Sequence, residues 1–182
     1  MLMAHATKAW TLAQLHRLPD DGNRYELIDG ELYVTPAPST THEGLALRLR
    51  EILEPYVAAH QLGKLFGPKS VVQDSDNQVE PDLMLRKVTF PLPATWTAMP
   101  TPLLVVEVLS RATARRDENQ KLAFYRRKEV QEYWMVDRDS RTIRAVTSGN
   151  DLITGTELTW QPVGASQALV IDVAAYFRDV LG

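Results

Sequence analysis

The sequence predicts an α/β (α+β) fold in which helices flank a mixed β-sheet. Two observations support this class. Amphipathic helical segments alternate along the chain with β-rich segments, and the apolar segment LLVVEVLS (residues 103–110) is typical of a strand buried on both faces. The 182 residues contain neither an internal repeat nor a low-complexity segment, and we interpret residues 1–182 as one domain.

The N-terminal part of the chain predicts a short helix, a hairpin and a long helix. The short helix spans residues 11–18 and is stopped by Pro19. Asp29-Gly30, between two β-rich runs, is typical of a two-residue hairpin turn. Thr40 followed by Glu43 forms a capping-box pattern, which predicts that the long helix begins there and continues to about His60.

The central part of the chain predicts strands, a loop and a further helix. KSVVQD (69–74) and VEPDLMLR (79–86) have the composition of two strands joined by a polar turn. Four prolines in residues 90–102 indicate an ordered surface loop. The buried strand 103–109 follows, and a helix is expected from about residue 115 to residue 128.

The C-terminal part of the chain predicts a hairpin, one or two more strands and a closing helix. The hairpin lies in EYWMVDRDSRTIRAV (132–146), with Asp139-Ser140 near its turn. The closing helix is expected within residues 171–181, with Asp172 at its start.

Composition excludes several classes of protein. Cysteine is absent, which excludes disulfides, thiolate metal sites and a cysteine nucleophile. The sequence contains neither a bilayer-spanning apolar segment nor a recognisable signal peptide, so we expect a cytoplasmic protein that does not enter a membrane. The formal net charge of −3 argues against bulk electrostatic binding of nucleic acid.

One local segment departs from this acidic average. Residues 111–128 contain seven basic and two acidic side chains and directly follow the strand that carries Glu107. A solvated helix face is the ordinary interpretation of such a segment. The alternative is a nucleic-acid contact, for which Arg111, Arg115 and Arg116 are the candidates.

Two carboxylates stand where strand propensity alone gives no reason for them. Asp82 follows Pro81 at the start of a predicted strand, and Glu107 lies inside the apolar strand 103–109. Burying an unpaired carboxylate costs several kcal/mol. If the two strands are neighbours, both acids converge, and a hard divalent cation such as Mg²⁺ or Mn²⁺ would neutralise them. Asp82 also fits a residue that binds backbone amides, and Glu107 also fits the partner of a buried arginine.

Lys121 is the candidate third member of this site. It lies four residues after Asp117 and four before Tyr125, so the three side chains share one helical face. A lysine beside a metal site can orient the attacking water or stabilise charge on phosphorus. The competing interpretation is an ordinary surface ion pair between Asp117 and Lys121.

Six ordered pieces of the sequence resemble a known family. They are YELIDGEL, His42 after PAPST, EPDL, VVEVLS, DENQK and EYWMVD, and they cover roughly residues 24–138. In this order they resemble the Uma-type restriction endonuclease family of the PD-(D/E)XK nuclease superfamily. The resemblance implies a restriction-endonuclease-like fold and metal-dependent hydrolysis of DNA.

The resemblance also implies roles for particular residues. Asp82, Glu107 and the backbone carbonyl of Val108 match the metal ligands, and Mg²⁺ or Mn²⁺ is the implied cofactor. The superfamily lysine would stand two residues after the glutamate, where this chain has Leu109. The lysine is therefore expected on the following helix, as Lys121.

Other implications of the resemblance are less specific. Glu31 and His42 match family positions that would complete the site, Glu31 through a metal-bound water and His42 by contacting phosphate or a ligand carboxylate. For His42, helix packing or capping is the competing interpretation. DNA is the expected partner, and a homodimer suits the cutting of two strands.

Two other readings stay open at this point. The chain could be a non-catalytic nucleic-acid-binding or regulatory protein that keeps the nuclease fold. It could also be a structural homodimer, in which arginines rather than a metal neutralise Asp82 and Glu107.

Overall fold

The computed structural model describes residues 9–88, 90–110 and 113–182 and confirms a mixed sheet flanked by helices. The helices are α1 (Leu12–Leu15), α2 (Thr40–Ala59), α3 (Ala114–Arg116), α4 (Leu122–Arg127) and α5 (Val173–Leu181), with a 3₁₀ turn at Trp96–Ala98 and a π-helical turn at Asp117–Lys121. The strands are β1 (Arg24–Ile28), β2 (Glu31–Thr35), β3 (Lys64–Phe66), β4 (Val72–Gln73), β5 (Gln78–Val79), β6 (Leu83–Arg86), β7 (Leu104–Leu109), β8 (Glu132–Asp137), β9 (Thr142–Val146), β10 (Asp151–Thr154), β11 (Glu157–Trp160) and β12 (Leu169–Asp172). Among the described residues, no helix is long and apolar enough to cross a membrane.

A six-stranded sheet organises the molecule, with strand order β10-β9-β8-β7-β6-β3. The central pair β7-β8 is parallel and its neighbours are antiparallel. A parallel pair requires a crossover connection, and the helical segment 114–127 provides it. A second sheet, in the order β2-β1-β5-β4, and the separate pair β11-β12 complete the strands.

The two faces of β7 bury different layers. Val106 and Val108 face a core formed with α2 and α5, whereas Val105 faces a second core formed with α4 and the four-stranded sheet. Because side chains alternate along a strand, Glu107 shares the face of Val105. The carboxylate therefore points toward the crossover helix and β1.

The register between β6 and β7 confirms that the two predicted acids lie on neighbouring strands. Leu83 pairs with Val106, so Asp82, which directly precedes β6, lies beside the carboxyl-terminal half of β7. Both acids are nearly completely buried.

Several boundaries differ from the sequence predictions. Ser39, rather than Thr40, caps α2, and its hydroxyl accepts the His42 N–H at 3.2 Å. The predicted strand 79–86 is two strands in different sheets, β5 and β6, separated by residues 80–82. Three strands, rather than one or two, precede α5.

Other local predictions are confirmed. The hairpin turn at Asp29-Gly30 has positive φ at both residues (51° and 80°), as a tight two-residue turn requires. Asp172 caps α5 through its side chain, which accepts the Ala175 N–H at 2.8 Å. The β8-β9 hairpin forms around residues 138–141.

Candidate active site

Asp82 and Glu107 line the same pocket, which has a volume of about 220 Å³. Arg24, His42 and Arg116 contribute further polar walls. The pocket lies between the four-stranded sheet, the beginning of α2 and the segment after β7. The predicted convergence of the two acids is thus a feature of the fold.

Asp82 is held by three donors. Its Oδ1 accepts a hydrogen bond from Arg24 Nη2 at 2.7 Å, and its Oδ2 accepts the Val108 N–H at 2.8 Å. His42 Nε2 lies 3.2 Å from the same Oδ2. Burial alone would raise the pKa of Asp82, but the His42 hydrogen bond and the charge of Arg24 outweigh it and hold this pKa well below its usual value. The carboxylate is therefore ionised at neutral pH.

Glu107 has a different electrostatic environment. Its Oε1 accepts a hydrogen bond from the Tyr125 hydroxyl at 2.7 Å and lies 2.9 Å from Lys121 Nζ. Burial, together with the charges of nearby carboxylates, outweighs the attraction of Lys121 and raises the pKa of Glu107 to about 8. The pair therefore consists of one strongly acidic and one weakly acidic carboxyl group.

Lys121 lies behind Glu107, and its side chain is completely buried. Its Nζ is 2.9 Å from Glu26 Oε1, 2.9 Å from Glu107 Oε1 and 3.4 Å from Asp117 Oδ1. Burial disfavours the ammonium, but these three carboxylates raise the pKa of Lys121 above its usual value. The Asp117–Lys121 pair is therefore part of the buried site, and its interpretation as a surface pair is wrong.

The turn Asp117–Lys121 is π-helical, with i→i+5 hydrogen bonds, and both of its end residues reach the site. As in an α-helix, side chains four residues apart lie on the same side of such a turn. Asp117 and Lys121 are both buried, and Tyr125 follows on the same face. Lys121 therefore reaches Glu107 from the crossover helix.

Glu26 is a member of the site that the sequence analysis did not identify. It is fully buried in β1, where its Oε1 accepts the Glu80 N–H at 3.0 Å and its Oε2 lies 3.1 Å from Arg116 Nη2. Although burial opposes ionisation, Lys121 and Arg116 lower the pKa of Glu26. The signal in the sequence is a charged residue inside the β-rich run RYELI.

Arg24 was also not identified, and it shares a face of β1 with Glu26. Its Nη1 donates to the Glu80 carbonyl at 3.0 Å and lies 4.0 Å from Glu107 Oε2. An arginine therefore hydrogen-bonds to Asp82 but only approaches Glu107. The arginine-neutralised arrangement that the sequence left open is realised for one of the two acids.

The remaining predicted residues lie at different distances from the pocket. His42 and Val108 line it, whereas Glu31 and Arg115 line a neighbouring groove of about 400 Å³. The Glu31 carboxylate accepts a hydrogen bond from the Tyr33 hydroxyl at 2.6 Å. Arg111 lies outside the described residues.

Of the two predicted nucleic-acid contacts that the structure describes, Arg116 is more buried than Arg115. Its guanidinium lies 3.1 Å from Glu26, 3.5 Å from Asp117 and 5.2 Å from the centre of the Tyr33 ring. It also donates to Thr35 Oγ1 at 3.3 Å. These contacts tie Arg116 to the carboxylate network, while one side of it lines the pocket.

The donor chemistry of the pocket suits a hard divalent cation. Asp82, Glu107 and Asp117 line it with carboxylates, the ligand type that Mg²⁺ and Mn²⁺ prefer. In the described parts of the chain, no group of three or more His, Cys, Asp or Glu side chains is arranged to hold a metal ion. Mg²⁺ commonly uses only one or two carboxylates and keeps several waters. The residues therefore fit such an ion, provided that Arg24 releases Asp82 Oδ1.

Comparison with known proteins identifies a family and individual proteins that are similar to this chain. The model of the family Uma2, described as "Putative restriction endonuclease", matches residues 12–175. The uncharacterized protein sll1609 of Synechocystis sp. (strain ATCC 27184 / PCC 6803 / Kazusa) is 29% identical over 145 residues, which cover 76% of this chain and 80% of that protein. A crystal structure described as "a putative nuclease belonging to DUF820" from Anabaena variabilis ATCC 29413 superposes with a TM-score of 0.79 at 17% identity, covering 94% of this chain and 99% of that one. At this identity, the structural similarity shows a shared fold.

The raised pKa of Glu107 predicts a pH-dependent effect of Glu107→Gln on stability. In the folded protein this pKa is about 8, above the ordinary value of 4.5. Between these pH values the folded state holds a proton that the unfolded state releases, so Glu107 makes the wild type less stable as pH rises. Glutamine does not titrate, and the melting temperature of Glu107→Gln minus that of the wild type should increase from about pH 5 to about pH 8.

Thermal unfolding in chelator across this range checks the prediction. Glu157→Gln, at an exposed glutamate of β11, is the matched control. A difference between Glu107→Gln and wild type that does not change with pH would contradict a raised pKa.

The burial of Lys121 predicts a large loss of stability in Lys121→Met. The substitution leaves Glu26, Glu107 and Asp117 buried without their shared cation, and breaking a buried pair typically costs about 3–5 kcal/mol. Adding Glu26→Gln to Lys121→Met should recover part of this loss, because it removes a buried carboxylate whose pKa Lys121 lowers in the wild type. Urea unfolding at neutral pH measures both effects. Lys87→Met, at an exposed lysine, is the control, and equal stability of the two single variants would refute the buried network.

Proposed function

The chain belongs to the Uma2 family, and from this membership and the geometry of the site we propose that it is a divalent-cation-dependent endonuclease that hydrolyses phosphodiester bonds of DNA. The observation that carries the proposal is the pair Asp82 and Glu107. Two buried carboxylates from neighbouring strands face one pocket, and a completely buried lysine contacts one of them. Burial of this many charged groups is costly unless they neutralise one another or a bound ion.

In the proposed enzyme, Asp82, Glu107 and the backbone carbonyl of Val108 would hold Mg²⁺ or Mn²⁺. When bound, such an ion supplies activation of water and neutralisation of charge on a phosphoryl oxygen. Asp82 is already ionised and oriented by the Val108 N–H and by His42. Glu107 must lose its proton before it can serve as an anionic ligand, so the cation and the proton compete for it.

Lys121 acts in this scheme as the cation that fixes Glu107. Its Nζ is shared among carboxylates and is fully buried, so its contact is with Glu107 rather than with the pocket. Tyr125 donates to the same oxygen of Glu107 at 2.7 Å. Because Lys121 and Tyr125 both contact Oε1, the other oxygen of Glu107, Oε2, faces Arg24.

The groove next to the pocket is the proposed path for the DNA backbone. It shares Thr35, Thr113 and Arg116 with the pocket, and the exposed Arg115 lies on its wall. Phosphate contacts from such side chains position a nucleic acid without reading its sequence. A homodimer would supply two sites for the two strands.

A second function is favoured by one specific observation. The Arg24–Asp82 pair neutralises one acid without any divalent ion. This favours a nucleic-acid-binding or regulatory protein that keeps the nuclease fold and does not cleave.

A cleavage assay separates the two functions. Purified protein is incubated with supercoiled plasmid or single-stranded DNA in Mg²⁺, in Mn²⁺ and in chelator. The proposed nuclease should nick or linearise the plasmid, or degrade the single strand, only with a cation. Asp82→Asn and Glu107→Gln should reduce cleavage by roughly a hundredfold or more, because each removes an anionic ligand, while circular dichroism shows an intact fold.

The controls make each outcome informative. Glu157→Gln, remote from the pocket on β11, should cleave like wild type. Equal cleavage by Glu107→Gln would indicate a contaminating nuclease. A folded wild type that cleaves none of the substrates would support the non-catalytic function.

A further inference from the structure

Arg24 lies between the two acids, where its guanidinium could contact either a cation ligand or a substrate in the pocket. It is the first residue of β1, its side chain is 16% exposed, and it lines the pocket. Nη2 contacts Asp82 at 2.7 Å, and Nη1 lies 4.0 Å from Glu107. Its charge is therefore balanced chiefly by a carboxylate that is itself a proposed cation ligand.

The other two cations of the described site are held differently. Lys121 is completely buried behind Glu107. Arg116 is bound to Glu26 and Asp117 and lies over the ring of Tyr33. The ion-pair partners of these two cations are Glu26, Glu107 and Asp117 rather than Asp82, so neither needs to leave Asp82 when a divalent ion binds there.

Arg24 can move away from Asp82 and still keep its hydrogen bond to the backbone. Nη1 donates to the backbone carbonyl of Glu80 at 3.0 Å, a contact that does not involve Asp82. Asp82 keeps the Val108 N–H and His42 as partners of its other oxygen. Breaking the bond from Nη2 to Oδ1 therefore leaves both residues positioned.

Electrostatic forces favour movement of the Arg24 guanidinium from Asp82 to a bound phosphate. A divalent ion bound by Asp82 and Glu107 repels a guanidinium a few ångströms away, and this repulsion opposes binding of the ion. A phosphodiester anion in the pocket offers the guanidinium a new partner, and the planar fork of arginine matches two phosphate oxygens.

We propose that Arg24 is an exchangeable counter-ion: it holds Asp82 in the cation-free site and transfers to the substrate phosphate when a divalent cation binds. The inference rests on the proposed function, since it requires a cation and a phosphodiester in this pocket. It assigns to Arg24 two linked effects. Arg24 weakens cation binding in the absence of substrate, and it makes the binding of cation and of phosphodiester mutually favourable.

Cation binding measured without DNA tests the first effect. Isothermal titration calorimetry with Mn²⁺ is carried out at one pH on wild type, Arg24→Gln, Arg24→Lys and Arg48→Gln. Arg24→Gln should bind Mn²⁺ at least about tenfold more tightly than wild type, because it removes the positive charge that lies beside both proposed ligands, 2.7 Å from Asp82 and 4.0 Å from Glu107. Arg24→Lys keeps the charge and should stay close to wild type. Arg48→Gln, on α2 at an ion pair with Asp179, should be unchanged.

The same titration with dimethyl phosphate tests the second effect. This uncleaved phosphodiester should tighten Mn²⁺ binding to wild type, because Arg24 then has a new partner. In Arg24→Gln dimethyl phosphate should tighten Mn²⁺ binding less than in wild type, because only the direct attraction between cation and phosphate remains. A merely structural role of Arg24 would not weaken this coupling.

The outcomes separate this inference from the proposed function. Equal Mn²⁺ affinity of wild type and folded Arg24→Gln overturns the counter-ion role and leaves the nuclease proposal standing. Tighter Mn²⁺ binding by Arg24→Gln that responds to dimethyl phosphate as strongly as wild type overturns the transfer. Absence of Mn²⁺ binding in wild type and in every variant overturns both. If Arg24→Gln does not fold, Arg24→Lys decides: because it lacks the planar fork, its response to dimethyl phosphate should be weaker than that of wild type, and an undiminished response overturns the transfer.

Discussion

The buried ammonium of Lys121 is the interaction on which the rest of the site depends. It lies within 2.9–3.4 Å of Glu26, Glu107 and Asp117, which come from β1, β7 and the π-helical turn. A buried charge is tolerated only when partners surround it, so these three elements must be in register for the fold to be stable. The same contacts fix Glu107 at the wall of the pocket. Stability and site geometry are therefore consequences of one arrangement.

The balance of charge around the pocket explains its proposed chemistry. Four buried carboxylates (Glu26, Asp82, Glu107 and Asp117) face three basic side chains (Arg24, Arg116 and Lys121) together with His42. With Glu107 protonated, the site needs no further cation. In the proposed enzyme a divalent ion would therefore replace charge already present, namely the proton of Glu107 and the guanidinium on Asp82. This requirement would link cation affinity to pH and to Arg24.

The sequence was sufficient to single out the acid pair, Lys121 and His42, but not Glu26 and Arg24. Glu107 was conspicuous because it interrupts an otherwise apolar strand. Asp82 was conspicuous because it follows a proline at the start of a predicted strand. Lys121 was found because its four-residue spacing from Asp117 and Tyr125 placed all three on one face. The π-helical turn Asp117–Lys121 has no signal in DENQK, since neither glycine nor proline marks it. Glu26 and Arg24 were missed because their partners come from β6, β7 and the crossover helix, and such tertiary neighbours are invisible in a local pattern.

The prediction of elements failed where structure depends on pairing rather than on propensity. The run 79–86 was expected to be one strand, yet β5 pairs with β1 and β6 pairs with β7, so the chain crosses between two sheets at Pro81. That crossing brings Asp82 to the pocket. The break between β5 and β6, which the sequence did not predict, therefore positions an acid of the site.

Anomalous diffraction from crystals grown with Mn²⁺ would test the central claim most directly, namely that Asp82 and Glu107 form a cation site. The account predicts one strong peak at roughly 2.0–2.3 Å from an oxygen of each carboxylate, a typical distance for a divalent ion of this size, with the Arg24 guanidinium displaced from Asp82 Oδ1. A cation-saturated crystal with no peak in the pocket, and with Arg24 still bound to Asp82, would contradict it.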